Sequence, residues 1–342
     1  MHDRVHRILL SVYAYDVWKC SGWTDPTERL KNPSRSLQTI AAEKGEFFSM
    51  VATNRGLRLR MTRWSRLAGR ACFVLGAAAY AVQAAEPKPA KDTRDEALAA
   101  RRFELLRQHV AAAEVQSNEA DFPSRFSSKP IFKYSDPARG YVAAAVWKLG
   151  EAGRPKALLA SELDRRDHGV PCISYEYISL TTTPFSLTSA DMGWSPSRTL
   201  LKFAPIPRTA APGNTPQRRL TQIREIARRF ASREDVKSEI CELRLLPAPI
   251  DRYSPSKADR ADGAIFFFTF GTNPEVVLFL ESDGKQWSYA ASRMTGAQTV
   301  ELTLDGAVVW EGAPLEMGRD SPFTGSITPI AIPGIAADGS EI

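Results

Sequence analysis

The stretch AIFFFTF (264–270), followed after a short break by VVLFL (276–280), is apolar at consecutive positions. Successive side chains of a strand point to opposite faces, so a strand with one wet face alternates apolar and polar residues. These two runs do not alternate. Strands of this kind must be covered on both sides. The rest of the chain must therefore supply the two covers.

One cover is a helix. Thr215 is placed to cap a helix that has Pro216 at its first position, a site where proline's missing N–H costs nothing. The helix is expected to run to about Ser232, with Leu220, Ile223, Ala227 and Phe230 spaced as one face requires. An earlier helix, from a capping box at Thr93 and Glu96 to about residue 116, repeats that spacing with Phe103, Leu106, Val110 and Ala113. Each helix precedes a set of strand-like segments. After the first come 131–134, 141–149 and 156–161 about the turn GEAGRP, then 173–181 and 199–203. After the second come 242–246, the two apolar runs, 287–294, 300–304 and 307–310, the last two joined by Asp305-Gly306, a strong two-residue hairpin signal.

The halves also match residue by residue. A shift of 117 lays the first helix stripe on the second, and a shift of 119 lays PIFKYS (130–135) on PIDRYS (249–254) and Glu162 on Glu281. Shifts of 114 to 116 match Ser174-Tyr175 with Ser288-Tyr289 and Trp194 with Trp310. A recurring order of this kind indicates an internal duplication. The expected fold class is α+β: two similar helix-plus-antiparallel-meander lobes, related by a pseudo-two-fold and packed as one compact body.

The 342 residues allow one or two domains, and 43% hydrophobic with 25% charged residues is ordinary for a chain that buries a core. Within residues 61–84, Arg63, Arg66 and Arg70 precede a short apolar stretch, and Val82-Gln83-Ala84 suits cleavage after Ala84, which is the pattern of a secretory signal peptide. Residues 1–60 then read as an over-long gene start or a disordered leader. Residues 85–92 read as a linker, 93–203 as the first lobe, 204–214 as a second linker, 215–317 as the second lobe and 318–342 as a loose C-terminal tail. Cys72 lies ahead of the apolar stretch, where a lipoprotein cysteine would not sit. The expected location is exported, periplasmic or extracellular, with no transmembrane helix left after cleavage. The net charge of +6 belongs to the leader: residues 1–84 hold 13 Lys/Arg against 6 Asp/Glu, and the remainder 32 against 33. The body has no global excess to attract phosphates, so no nucleic acid is expected as a partner.

No CxxC, HExxH, GxSxG or P-loop pattern is present. Glu162 and Glu281 are candidate catalytic carboxylates, since a glycosidase needs two of them about 5–10 Å apart. The plain alternative is a solvated Glu at each strand end. Asp136 and Arg139 in YSDPARG (134–140) are further catalytic candidates, and their plain alternative is a structured turn. Tyr134, Tyr253 and Arg252 are binding candidates on matching segments, or else amphipathic strand packing. In DRRDHGVPC (164–172), Asp167, His168 and Cys172 lie together, against the reading of a polar loop. Asp259 and Asp262 hint faintly at calcium without an EF-hand pattern. Cys172 and Cys241 are a disulfide candidate in an oxidising compartment, or else two buried thiols. No metal site and no cofactor are expected.

YSDPARG (134–140), ELRLLPAPIDRY (242–253) and DGAIFFFTFGTNPE (262–275) together resemble a group of uncharacterised exported proteins of planctomycete bacteria. The resemblance implies export and supplies no catalytic residues. The function expected from the whole is a non-catalytic binding or envelope-associated protein with an unknown ligand or envelope partner. The alternative is an extracellular or periplasmic hydrolase using paired carboxylates.

Overall fold

The computed structural model describes residues 90–342 except 166–169, 190–191, 237–238, 258–259 and 297–298. The leader, the signal-like segment, most of the 85–92 linker, and Asp167, His168 and Asp259 lie outside the described residues. In chain order the elements are α1 (Ala90–Ala111), β1 (Glu114–Gln116), β2 (Phe132–Asp136), β3 (Tyr141–Lys148), β4 (Ala157–Asp164), β5 (Cys172–Ser179), β6 (Ser186–Ser189), β7 (Met192–Trp194) and β8 (Ala204–Pro205). There follow α2 (Pro216–Ala227), β9 (Phe230–Val236), β10 (Glu239–Leu245), β11 (Asp251–Tyr253), β12 (Ala261–Phe270), β13 (Asn273–Asp283), β14 (Trp287–Arg293), β15 (Thr299–Leu304), β16 (Ala307–Gly312) and β17 (Phe323–Pro329).

The expected α+β fold of two helix-plus-meander lobes about a pseudo-two-fold is not what forms. The described residues are 46% strand and 13% helical, with large antiparallel sheets and a half-barrel. The largest sheet has nine strands, in the order β16-β15-β9-β10-β12-β13-β14-β8 with β11 also on β12; a five-stranded sheet runs β17-β5-β4-β3-β2. Two misread segments account for much of the difference. Phe230 was expected to close a helix stripe, but α2 stops at Ala227 and FASREDV (230–236) alternates buried and exposed, the period of a strand. That strand joins β10 to β15 and so merges what would have been a separate meander into one large sheet. The 318–342 segment is not a loose tail throughout, since β17 pairs with β5 over its whole length. The 204–214 linker likewise contributes β8, which pairs with β14.

The demand for two-sided cover is met. Ile265, Phe267, Val277 and Phe279 face Ala144, Val146, Leu158 and Ala160 in a core between the two sheets. Phe266, Phe268, Val276, Leu278 and Leu280 point the other way, onto Ile223, Ile226 and Ala227 of α2 and onto Phe230 and Leu302 of the curled sheet. On the outer face of the five-stranded sheet, Leu106 and Val110 of α1 join Val115, Leu187 and Trp194 of the small β1-β6-β7 sheet to cover Trp147, Leu159 and Tyr177. Thr215 does cap α2, its hydroxyl accepting from the Arg218 amide. Asp305 and Gly306 both have positive φ, the backbone of the tight hairpin turn between β15 and β16. No helix among the described residues is long and apolar enough to cross a membrane.

Candidate functional site

Four strands of each sheet carry the same row of side chains. In the five-stranded sheet, Tyr134 (β2) lies opposite Ala144 (β3), Ala144 opposite Glu162 (β4), and Glu162 opposite Ser174 (β5). In the larger sheet, Tyr253 (β11), Gly263 (β12), Glu281 (β13) and Ser288 (β14) occupy the corresponding order. Each tyrosine spans the small residue beside it and donates to the glutamate two strands away, at 2.6 Å from Tyr134 to Glu162 and 2.7 Å from Tyr253 to Glu281. The small residue is a geometric necessity. A Cβ on Gly263 would stand 2.5 Å from the Tyr253 ring. Leu187 opposite Trp194 and Leu302 opposite Trp310 form a second recurring pair.

The carboxylates have different company. Glu281 accepts from two nitrogens of Arg154, Nε at 2.6 Å and Nη2 at 2.5 Å, and Arg154 lies over the Phe203 ring. Glu162 accepts from Ser174 at 3.0 Å, and burial pushes its pKa up to about 7 against the pull of Tyr134, Ser174 and Arg139. Burial also raises the Tyr134 and Tyr253 hydroxyls, with their glutamates adding to the effect. Replacing either tyrosine by phenylalanine removes a buried hydrogen bond to a carboxyl and is expected to cost about 1–3 kcal/mol, read from urea unfolding at unchanged m.

The structure does not bring Glu162 and Glu281 together. Glu162 is two residues from Asp164, which pairs with Tyr141 at the turn that carries Arg139, and Arg139 donates to Glu275 at 2.8 Å, which places Glu162 at the Glu275 end of the sandwich. Glu281 is six residues further along β13, about 20 Å at the usual rise per residue. A paired-carboxylate mechanism needs about half that distance or less. Asp136 and Arg139 form the expected turn, the Arg139 amide donating to Asp136 at 3.3 Å, but the Arg139 side chain goes on to bridge to Glu275 of the facing sheet. Arg252 donates to Asp262 at 2.6 Å, so Asp262 is an arginine partner. Arg219 of α2 holds the same Asp262 oxygen at 2.9 Å. Among the described residues no group of three or more His, Cys, Asp or Glu is arranged to hold a metal ion.

Cys172 and Cys241 are not joined by a disulfide, so the candidate bridge is not formed. They lie on different sheets, Cys172 on β5 and Cys241 on β10. His109, within α1, meets the Tyr175 hydroxyl at 3.0 Å, a packing contact.

Reading the sequence found Glu162 and missed four other charged groups held inside the sheets, Glu176, Glu234, Glu275 and Arg293. All four sit inside strands, and Glu234, Glu275 and Arg293 are at most 2% exposed. A charged residue at an inward position of an alternating strand, such as Glu234 in FASREDV, was the available signal. Two open depressions, one of about 480 Å³ beside Leu105 and Pro333 and one of about 190 Å³ beside Arg208 and Arg229, contain none of these groups. Compared with known protein families, curated proteins and solved structures, the chain matches none.

Proposed function

We propose that this chain is an exported protein with a binding or envelope-associated role, and that its buried carboxylates serve the architecture and not a reaction. The observation that carries the non-catalytic part is the disposition of Glu162 and Glu281. Each is engaged by a tyrosine of its own sheet, and the two stand at opposite ends of β13. Export is supported by the arginine-led apolar segment within residues 61–84 and by a body whose charge is nearly balanced. The same proposal takes the two Tyr–small–Glu–Ser rows as products of an internal duplication, supported by their shared order and by the common shift of 119 for tyrosine, small residue and glutamate.

The test is expression of the full chain with a C-terminal tag, followed by fractionation and N-terminal sequencing. The expected result is a mature chain beginning at Ala85, recovered from the periplasm, the medium or the envelope fraction. Retention in the cytoplasm with residues 61–84 intact overturns the proposal. Hydrolysis of an extracellular polymer that is lost in both Glu162→Gln and Glu281→Gln, with folding preserved, would restore the hydrolase reading.

A further inference from the structure

The charge of the body is nearly balanced but unevenly spread. Residues 207–233 hold seven arginines against one acid, Glu225, while the rest of the chain after residue 84 has seven more acids than bases. Four of the seven arginines are matched within the fold: Arg219 by Asp262, Arg233 by Glu301, and Arg208 with Arg229 by a shared Asp305. Arg218 and Arg224 of α2 and its C-cap Arg228 are exposed, and among the described residues their side chains make no hydrogen bond or ion pair. At 3.6 residues per turn the three lie within about a third of the helix circumference, with Thr221 and Glu225 between them. Helix stability does not account for this face. Arg218 stands in the first turn, the end that favours anions, and no acid is there to offset it. Arg224 and Arg228 gain from the C-terminal end of the dipole, but like charges four residues apart repel. Beside them, Arg208 has a left-handed backbone at φ 52° and a side chain 78% exposed. Arg229 holds that turn in place, donating to the Pro207 carbonyl at 2.9 Å and the Thr209 hydroxyl at 2.8 Å.

We propose that the outer face of α2 is a docking surface for an anionic lipid bilayer, with Arg218, Arg224 and Arg228 on the headgroup phosphates and Arg208 at the margin. This deepens the envelope-associated role and rests on that reading. Charge selects the chemistry, because a guanidinium fork pairs bidentately with phosphate oxygens. Shape selects the source. The exposed side of α2 carries no aromatic residue on which the bases of a single strand could stack. The open depression beside Arg208 and Arg229 has Glu225 in its lining, which disfavours a single small anion. A row of cations on a convex helix, about 15 Å from Arg218 to Arg228, meets several phosphates at once on a surface that is itself broad.

The helix lies on this surface and does not enter it. An interfacial helix inserts through an apolar face. The apolar face of α2, with Ile223, Ile226 and Ala227, is buried in the core against the largest sheet. Attachment is therefore electrostatic, at about fivefold in affinity for each arginine near an anionic surface. It is lost at about 1 M salt, where screening acts within about 3 Å.

Arginine footprinting of the full chain reads this site by site, so the basic leader does not confound it. The purified chain is treated with phenylglyoxal, with and without vesicles of phosphatidylglycerol and phosphatidylcholine in equal parts, and modification is read by mass spectrometry. With these vesicles Arg218, Arg224 and Arg228 are expected to react at least about fivefold more slowly, and exposed Arg101 and Arg125, outside the patch, less than about twofold. Pure phosphatidylcholine vesicles, or 1 M salt, are expected to give no protection. In the double variant Arg224→Gln with Arg228→Gln, protection of Arg218 is expected to fall below about twofold. Arg101→Gln with Arg125→Gln, which removes the same charge elsewhere, is expected to leave it intact. Equal protection of all five arginines, no protection at α2, or protection of Arg218 that survives the double variant overturns the proposal. Protection by soluble polyphosphate and not by vesicles also overturns it, in favour of a polyanion. Cytoplasmic retention in the fractionation above would refute export without changing this footprint, and an absent footprint would refute lipid docking with export intact.

Discussion

Phe267→Ala is expected to lower the stability of the folded chain by about 3–5 kcal/mol, the range for deleting a fully buried phenylalanine ring. Phe267 is fully buried at the centre of the seam between the sheets, edge-on to Phe132 of the facing sheet with ring centroids 5.5 Å apart. Two sheets packed face to face relax poorly around a hole, because each is held rigid by its own ladder of hydrogen bonds. The cavity term is therefore expected to be felt nearly in full. Phe267→Leu, which keeps most of the volume, is expected to lose less than half as much. Chemical denaturation of the two variants checks this, and equal losses would show that the seam repacks freely.

Asp262→Ala is expected to cost a similar 3–5 kcal/mol for a different reason. Asp262 and Arg219 are both buried, and the carboxylate holds Arg219 at 2.9 Å and Arg252 at 2.6 Å. With Asp262 gone, Arg219 keeps one backbone acceptor, the carbonyl of Gly213, and is left as a buried charge. Arg252, about one-third exposed, can turn to water. The discriminating partner is the double variant Asp262→Leu with Arg219→Met. Replacing a buried ion pair with apolar groups of similar volume is often neutral or stabilising, so this variant is expected to recover most of the loss. If it is as unstable as Asp262→Ala, the loss comes from disturbed packing around α2 and not from stranded charge.

These two residues show how far the sequence could be read. The run around Phe267 announces two-sided burial because nothing in it alternates, and the structure buries it on both sides. Thr215, Pro216 and Asp305-Gly306 are equally legible, since caps and tight turns are decided by the few residues that form them. The α+β reading failed where a decision depended on distant partners. Phe230 fits the spacing of a helix stripe as well as the start of an alternating strand, and only pairing with β15 settles which. Residues 323–329 carry Pro, Gly, Ser and Thr and look like tail until β5 supplies the other half of the ladder. The site was half visible for the same reason. Tyr134, Glu162, Tyr253 and Glu281 could be matched by position along the chain. That each tyrosine reaches its own glutamate, and not the other half's, depends on register. Nor could spacing alone reveal that Arg139 crosses to Glu275, 136 residues away.

The pairing of β17 with β5 has a consequence for how the chain is made. Phe323 lies opposite Ile178, so the sheet built from the earlier part of the polypeptide keeps an open border until nearly the last residues emerge. An unpaired border of this kind is a template for joining to another chain. Synthesis runs at about 5–20 residues per second, so the 145 residues between the partners leave that border waiting for roughly 7–30 seconds. A ribosome that stalls or terminates before Phe323 would release a product with an exposed adhesive margin, which makes the far C-terminus a natural checkpoint for chaperones and proteases.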